Sequence, residues 1–128
     1  MTRRATQTDH APKALGPYSQ AIVANGFVFC AGQIPVDPAT GAIVPGGIAE
    51  QTRRSLDNLA AVLASAGSGM EHAVKVSVFL TDLDDFAEMN AVYAEFMPTP
   101  APVRSTVEVS RLPAGAKVEI DVIAVVAT

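Results

Sequence analysis

The amino-acid sequence predicts an α+β fold, a mixed β-sheet with two helices on one face. Its length of 128 residues is that of about one domain. Hydrophobic residues make up 49% of the chain and charged residues 17%, so it holds enough apolar material to form a core and is not globally disordered. The apolar pattern also changes period along the chain, in the order strand, strand, helix, strand, helix, strand, strand.

The first two strands are predicted to form a hairpin. Asn25 and Gly26 separate two apolar runs, residues 19–24 and 27–31, and this dipeptide is typical of a two-residue turn with both residues at positive φ. Prolines and glycines then recur from residue 32 to residue 47, which predicts a surface loop before the first helix.

Two amphipathic helices are predicted on either side of a further strand. Apolar positions between residues 48 and 63 recur at helical spacing, and Gly67 ends that helix. Residues 74–80 alternate with period two, which predicts a strand. A second helix is predicted after Asp82, a candidate N-cap, and Pro98 ends it. Its helical stripe contains Phe86, Met89, Asn90, Tyr93, Phe96 and Met97.

Two more strands, residues 103–110 and 117–126, complete the predicted order, with a turn at residues 113–115 between them. The last strand is apolar on both faces, so each face of the sheet needs a cover. The two helices account for one face. Because no element remains for the second face, another copy of the chain is the predicted cover, with a substrate site at the boundary between copies.

Charge and composition disfavour several other classes of protein. Nine Lys and Arg against thirteen Asp and Glu give a formal charge of −4, so nucleic acid is a poor partner. No apolar run approaches the ~20 residues of a membrane span, and residues 1–11 contain no signal-peptide core. The single cysteine fits a reducing compartment, so we expect a cytoplasmic protein without membrane association. We also expect a flexible N-terminal tail over residues 1–10 and one domain over residues 11–128.

Two charged residues of the predicted C-terminal strands are candidates for chemistry. Arg104 lies on the polar side of its strand, and its planar guanidinium suits a substrate carboxylate. Glu119 shares a face with Arg104 if the last two strands pair, and a carboxylate there is a candidate general base toward water. From position alone, the favoured interpretation is an ordinary ion pair, of Arg104 with Glu108 or Glu119.

Four further residues are weaker candidates. Tyr18, at the start of the first strand, is a candidate to cover a ligand, and Gly32 allows close approach of a ligand to the backbone. For Tyr18 the favoured alternative is a packing role, and for Gly32 it is a plain exit from the strand. Asn90 interrupts an apolar stripe and needs hydrogen-bond partners. Cys30 is interpreted as a buried, inert thiol, and the two histidines have no ligand spacing, so no metal site is predicted.

Five separate motifs resemble one known family. They fall in order over residues 11–126 and read Gly16-Pro17-Tyr18-Ser19-Gln20, Ala31-Gly32-Gln33-Ile34-Pro35, Asn90-Ala91-Val92-Tyr93, Arg104-Ser105-Thr106-Val107-Glu108-Val109 and Val118-Glu119-Ile120. With these motifs the chain resembles the RidA/YjgF family of reactive intermediate (enamine/imine) deaminases, which carries the older name L-PSP endoribonuclease.

The resemblance implies a chorismate-mutase-like α+β fold and a homotrimer with three clefts between subunits. It also implies that Arg104 binds the carboxylate of a 2-imino acid and that Glu119 positions water for attack on the imine carbon. Tyr18 and the backbone of Gly32 match family positions that line the same cleft, and Asn90, a candidate substrate-binding residue, matches the asparagine of the family's second helix. No cofactor is expected, because the imine carbon is already electrophilic and needs only orientation and a water.

Three features depart from the family pattern. Ala31 stands where many members have a small hydroxyl residue. Thr106 stands where many have a cysteine, and it joins the candidate substrate-binding residues. The linker over residues 98–102 is shorter than in typical members. These differences bear on the catalytic rate and the range of substrates. Arg104 itself matches the family pattern.

The resemblance therefore predicts a 2-iminobutanoate/2-iminopropanoate deaminase. Such an enzyme hydrolyses 2-aminoacrylate and its tautomer 2-iminopropionate to a 2-keto acid and ammonia. One alternative is a non-catalytic trimer that binds or senses small carboxylates at Arg104. A second is RNA cleavage, against which the net charge and the lack of a basic stripe argue.

Overall fold

The computed structural model describes residues 2–127 and folds them into a six-stranded sheet, a two-stranded ribbon and two helices. The helices are α1 (Ile48–Ser65) and α2 (Phe86–Phe96). The strands are β1 (Arg3–Thr6), β2 (Ala21–Ala24), β3 (Phe27–Cys30), β4 (Val36–Asp37), β5 (Ala42–Ile43), β6 (Ala73–Leu80), β7 (Val103–Glu108) and β8 (Val118–Val125).

The large sheet has the strand order β1-β2-β3-β8-β6-β7. Strands β6 and β7 pair in parallel, and all other neighbours pair antiparallel. Helix α2 connects the parallel pair, as such a pair requires a crossover long enough to return the chain to the same end of the sheet. The prediction of a mixed sheet is confirmed.

Both helices pack on one face of this sheet, as predicted. Leu56, Leu59 and Leu63 of α1 are fully buried, and they share a core with sheet residues such as Val78 and Ile120. Met89 and Tyr93 of α2 join the same core. Every second residue of β8, from Val118 to Ala124, is buried beneath the helices.

The opposite face of the sheet has no cover within the described residues, and we call it the open face. Large apolar side chains lie on it, and their exposed fractions are 38% for Phe27, 44% for Phe29, 67% for Val103 and 45% for Val107. This arrangement agrees with the two-sided apolar pattern of the last strand. It is also the face expected to meet another copy of the chain.

The predicted hairpin is confirmed, with Asn25 at φ 52° and Gly26 at φ 81° between β2 and β3. The segment predicted as a surface loop, residues 32–47, contains the small β4–β5 ribbon. Asp82 caps a short 3-10 turn at Leu83–Asp85 by accepting a hydrogen bond from the Asp84 backbone N–H, and α2 starts only after that turn. No helix of the described chain is long and apolar enough to span a bilayer.

The N-terminal segment differs from the flexible tail expected over residues 1–10. Residues 3–6 form β1, which pairs with β2 along its whole length. The buried side chain of Gln20 then holds the following residues: its Oε1 accepts from the Thr8 N–H at 2.8 Å, and its Nε2 donates to the Pro12 carbonyl at 2.8 Å. The folded unit therefore begins near residue 3 rather than at residue 11.

Candidate functional site

Arg104 lies on the edge strand β7 but faces the helices. It pairs in register with Val76, which is fully buried under α1 and α2. Its Nη1 donates a 2.7 Å hydrogen bond to Oδ1 of Asn90 on α2. The amide that interrupts the apolar stripe of α2 is thus the partner of the arginine, and such a charge-assisted bond fixes the orientation of the guanidinium.

Two aromatic rings complete the surroundings of this arginine. Its guanidinium carbon lies 4.6 Å from the ring centroid of Tyr93 and 5.4 Å from that of Phe86, within the range of cation–π attraction. Phe86, Asn90 and Tyr93 follow at spacings of four and three residues, so α2 presents all three on one side. Sequence reasoning placed both rings only in the packing stripe, although this spacing around Asn90 was a usable signal.

The guanidinium has no ion pair among the described residues. Glu108, one of the expected partners, instead accepts a 2.9 Å hydrogen bond from the Leu83 N–H. The remaining N–H groups of Arg104 therefore stay available to a ligand. They border a cleft of about 510 Å³, whose other walls are Asn90, Tyr93 and the proline-rich linker over residues 97–102.

Two buried hydroxyls flank Arg104 without a hydrogen-bond partner in residues 2–127. They are the Tyr93 hydroxyl and Oγ1 of Thr106, which lies two residues from Arg104 on the same face of β7. Burial raises the pKa of Tyr93, and the nearby charge of Arg104 opposes that shift. We call Arg104, Asn90, Phe86, Tyr93 and Thr106 the arginine half-site.

Glu119 lies on the open face and packs against Gly32. The backbones of Gln33 and Ile120 bond to each other in both directions, at 2.8 and 3.2 Å, which holds the exit of β3 against β8. A Cβ atom at Gly32 would lie only 2.9 Å from Cδ of Glu119. Glycine at position 32 permits this close approach, since a Cβ there would displace the Glu119 side chain.

Burial raises the pKa of the Glu119 carboxyl, and the neighbouring charge of Asp121 raises it further. The Glu119 side chain has no hydrogen bond or ion pair among the described residues. A carboxylate with these properties is suited to accept a proton from water or from a substrate.

Tyr18 and Gly32 line one large cavity of about 800 Å³ with a mostly apolar wall. Tyr18 lies in the loop before β2, not at a strand start as predicted, and its side chain is half exposed. Its hydroxyl accepts a 3.3 Å hydrogen bond from the Leu15 N–H. Because Gly32 contacts both this cavity and Glu119, we call Tyr18, Gly32 and Glu119 the glutamate half-site.

The two half-sites do not meet within one chain. Arg104 is in register with Val76, whereas Glu119 is in register with Phe79, three residues along β6 and therefore on the other face. The condition for a shared face, that the last two strands pair, is not met, because β6 lies between β7 and β8. The registers of β6 with these two strands put Arg104 and Glu119 on opposite faces. The two predicted catalytic residues, Arg104 and Glu119, thus lie on opposite faces of the sheet within one chain.

The other candidate groups take no part in either half-site. Burial and the charge of Asp121 raise the pKa of Cys30 to about 12, so its thiol stays protonated and inert at neutral pH. Within the described part of the chain, no three His, Cys, Asp or Glu side chains converge as metal ligands.

Comparison with known proteins gives one family. The family model described as endoribonuclease L-PSP matches residues 8–126. A RutC family protein from Pyrococcus horikoshii is 54% identical over 117 residues, which is 91% of this chain and 93% of that protein. A 2-iminobutanoate/2-iminopropanoate deaminase from Bos taurus is 40% identical over 125 residues, 98% of this chain and 91% of that protein.

Among solved structures, E. coli TdcF with bound serine is similar throughout. It has a TM-score of 0.91 and 44% identity, and the match covers 97% of this chain and 99% of TdcF. The fold, the motifs and the sequence identity all match this family over nearly the whole chain. The chain belongs to the endoribonuclease L-PSP family, which is the RidA/YjgF family that its motifs resemble.

Proposed function

We propose that the protein hydrolyses 2-imino acids and their 2-enamine tautomers, such as 2-iminopropionate and 2-aminoacrylate, to 2-keto acids and ammonia. The observation that carries this proposal is the pair of half-sites, a carboxylate-binding arginine and an unpaired glutamate, on opposite faces of one sheet. The deaminase name of the bovine relative supports the same reaction.

Arg104 is the anchor for the substrate carboxylate. Asn90 and the two rings already fix its guanidinium, so little conformational entropy is lost when a ligand binds. Its free N–H groups suit a bidentate contact with a carboxylate. The buried Thr106 hydroxyl lies beside this position, where it supplies a further polar contact to the bound acid.

Glu119 is the group that positions and deprotonates water. A water oxygen adds to C2 of the imine as one water proton passes through the carboxylate to nitrogen, which gives a carbinolamine. The carbinolamine hydroxyl then loses its proton, which the carboxylate transfers to nitrogen as the C–N bond breaks, the keto group forms and ammonia leaves. The backbone at Gly32 helps to orient the substrate, and Tyr18 borders the same cavity. The reaction needs no cofactor, because the imine carbon accepts water directly.

The reaction requires Arg104 of one copy and Glu119 of another, so we propose a homotrimer with its sites between subunits. The exposed apolar side chains of the open face support this assembly, because they require a cover that the described residues do not provide. In the proposed assembly a second copy covers them, and the arginine half-site of one chain meets the open face of the next. We place this trimer in the cytoplasm.

The direct test follows 2-aminoacrylate generated in place by a serine dehydratase, with semicarbazide as the trap for the imine. Wild-type protein should speed the appearance of pyruvate and lower the trapped fraction. Arg104→Ala should give no acceleration while it keeps the oligomer size of the wild type. Full activity of Arg104→Ala would overturn the assignment.

A second candidate function is the binding of small carboxylates without turnover. The serine bound to the similar TdcF favours it. Wild-type protein that binds serine through Arg104 but does not accelerate imine decay would identify this function. RNA cleavage is disfavoured by the net charge of −4, and a salt titration of RNA binding tests it.

A further inference from the structure

A second carboxylate lies beside Glu119 on the open face. Asp121 follows Glu119 by two residues on β8, so their side chains point the same way about 6.6 Å apart along the strand. Opposite them on β6 stand Ser77 for Asp121 and Phe79 for Glu119, neither of which is charged. Neither carboxylate makes a side-chain hydrogen bond or an ion pair within residues 2–127.

The backbone of β8 sets the spacing of these two residues along the strand. The paired backbones of Gln33 and Ile120 lock β8 against the exit of β3. Gly32 lies against the Glu119 carboxylate on that side. Glu119 and Asp121 are therefore near neighbours on one face of β8, where the charge of each acts on the other.

Other charged groups near the pair are few. Lys75 lies on the same face of β6, two residues from Ser77, and Lys117 precedes Glu119 by two residues. Neither lysine forms an ion pair with Glu119 or Asp121. The open-face residues of β3 and β7 nearest the pair are uncharged. The charge of Asp121 adds to the effect of burial in raising the pKa of both Glu119 and Cys30.

We propose that Asp121 is a positioning residue for the deaminase reaction, whose negative charge makes Glu119 a stronger base toward the attacking water. This inference rests on the proposed function of Glu119. A carboxylate that holds its proton more tightly takes a proton from water more readily, which raises the rate wherever Glu119 is ionised. The same charge lets Glu119 become protonated at higher pH, so activity is lost sooner on acidification.

The test measures kcat/KM for 2-iminopropionate against pH, with the uncatalysed rate subtracted at each pH. In Asp121→Asn the acid limb should move to lower pH, and kcat at neutral pH should fall several-fold with KM nearly unchanged. Asp121→Glu keeps the charge and should keep the wild-type profile. Asp57→Asn, the same substitution at an exposed position of α1, is the matched control and should leave the profile unchanged.

An acid limb in Asp121→Asn that coincides with the wild type would overturn the inference. Asp121→Ser removes the same charge and provides this readout if Asp121→Asn does not assemble. Glu119→Gln distinguishes a failure of the role proposed for Glu119 from a failure of the role proposed for Asp121. Full activity of Glu119→Gln would refute the role of Glu119 itself, whereas an inactive Glu119→Gln with an unmoved Asp121→Asn profile would refute only the role of Asp121.

Discussion

The two half-sites differ in how completely one chain builds them. The arginine half-site is finished within a single chain, since Asn90 and two aromatic rings hold the guanidinium on the helix-covered face. The glutamate half-site leaves its carboxylate without a partner on a face that is still open. Under the proposed function, folding of one chain prepares substrate binding, whereas the chemistry depends on a second copy.

The glutamate half-site should be the easier one to break with a small change. Gly32→Ala places a methyl group against the Glu119 carboxylate and forces it to move. Gly32 does not use a left-handed backbone, so alanine is compatible with the fold. We expect kcat to fall on the order of 10²-fold, because a displacement of about 1 Å in a catalytic group costs that much.

The measurement is steady-state imine hydrolysis together with the melting temperature. Gly47→Ala is the matched control, since a Cβ at that position meets nothing closer than 3.9 Å. Wild-type activity in a folded Gly32→Ala protein would show that the position of the carboxylate is not critical.

The arginine half-site should tolerate partial loss of its surroundings. Phe86→Leu removes one of the two rings on Arg104 but keeps the bond to Asn90. Because one cation–π contact contributes about 0.5–1 kcal/mol, we expect a rise in KM of about 2–5-fold with little change in kcat.

Phe96→Leu is the matched control for this change. Phe96 lies on the same helix under another arginine, Arg53, at 5.9 Å, away from both half-sites. The KM of Phe96→Leu should equal that of the wild type. Equal effects of the two substitutions on KM would mean that Phe86 acts only through packing.

The sequence predicted those features that depend on local pattern. The Asn25-Gly26 hairpin and both helices follow from turn chemistry and periodicity within short windows, and the structure confirms them. Strand β1 escaped prediction because its residues Arg3–Thr6 carry no apolar alternation and join the sheet mainly through backbone pairing with β2. Val74, the first residue of the alternating segment 74–80, lies at a register shift in β6 and is exposed.

The relation between the site residues was not readable from the sequence. Whether Arg104 and Glu119 share a face depends on which strand lies between them, and strand order is set by contacts far apart in the chain. The registers of β6 with β7 and β8 decide the outcome and put Arg104 and Glu119 on opposite faces. The polar side of β7 therefore faces the helices, and its apolar side, with Val103 and Val107, is exposed.

Mixing two inactive variants tests most directly whether the two half-sites of different copies form one site. Arg104→Ala and Glu119→Gln are dissociated, combined in equal amounts and reassembled, and mixed oligomers are verified with a tag on one variant. Random assembly leaves an intact Arg104 beside an intact Glu119 at about one boundary in four, so we expect about a quarter of the wild-type activity. Mixed oligomers with no more activity than the separate variants would contradict a site shared between copies.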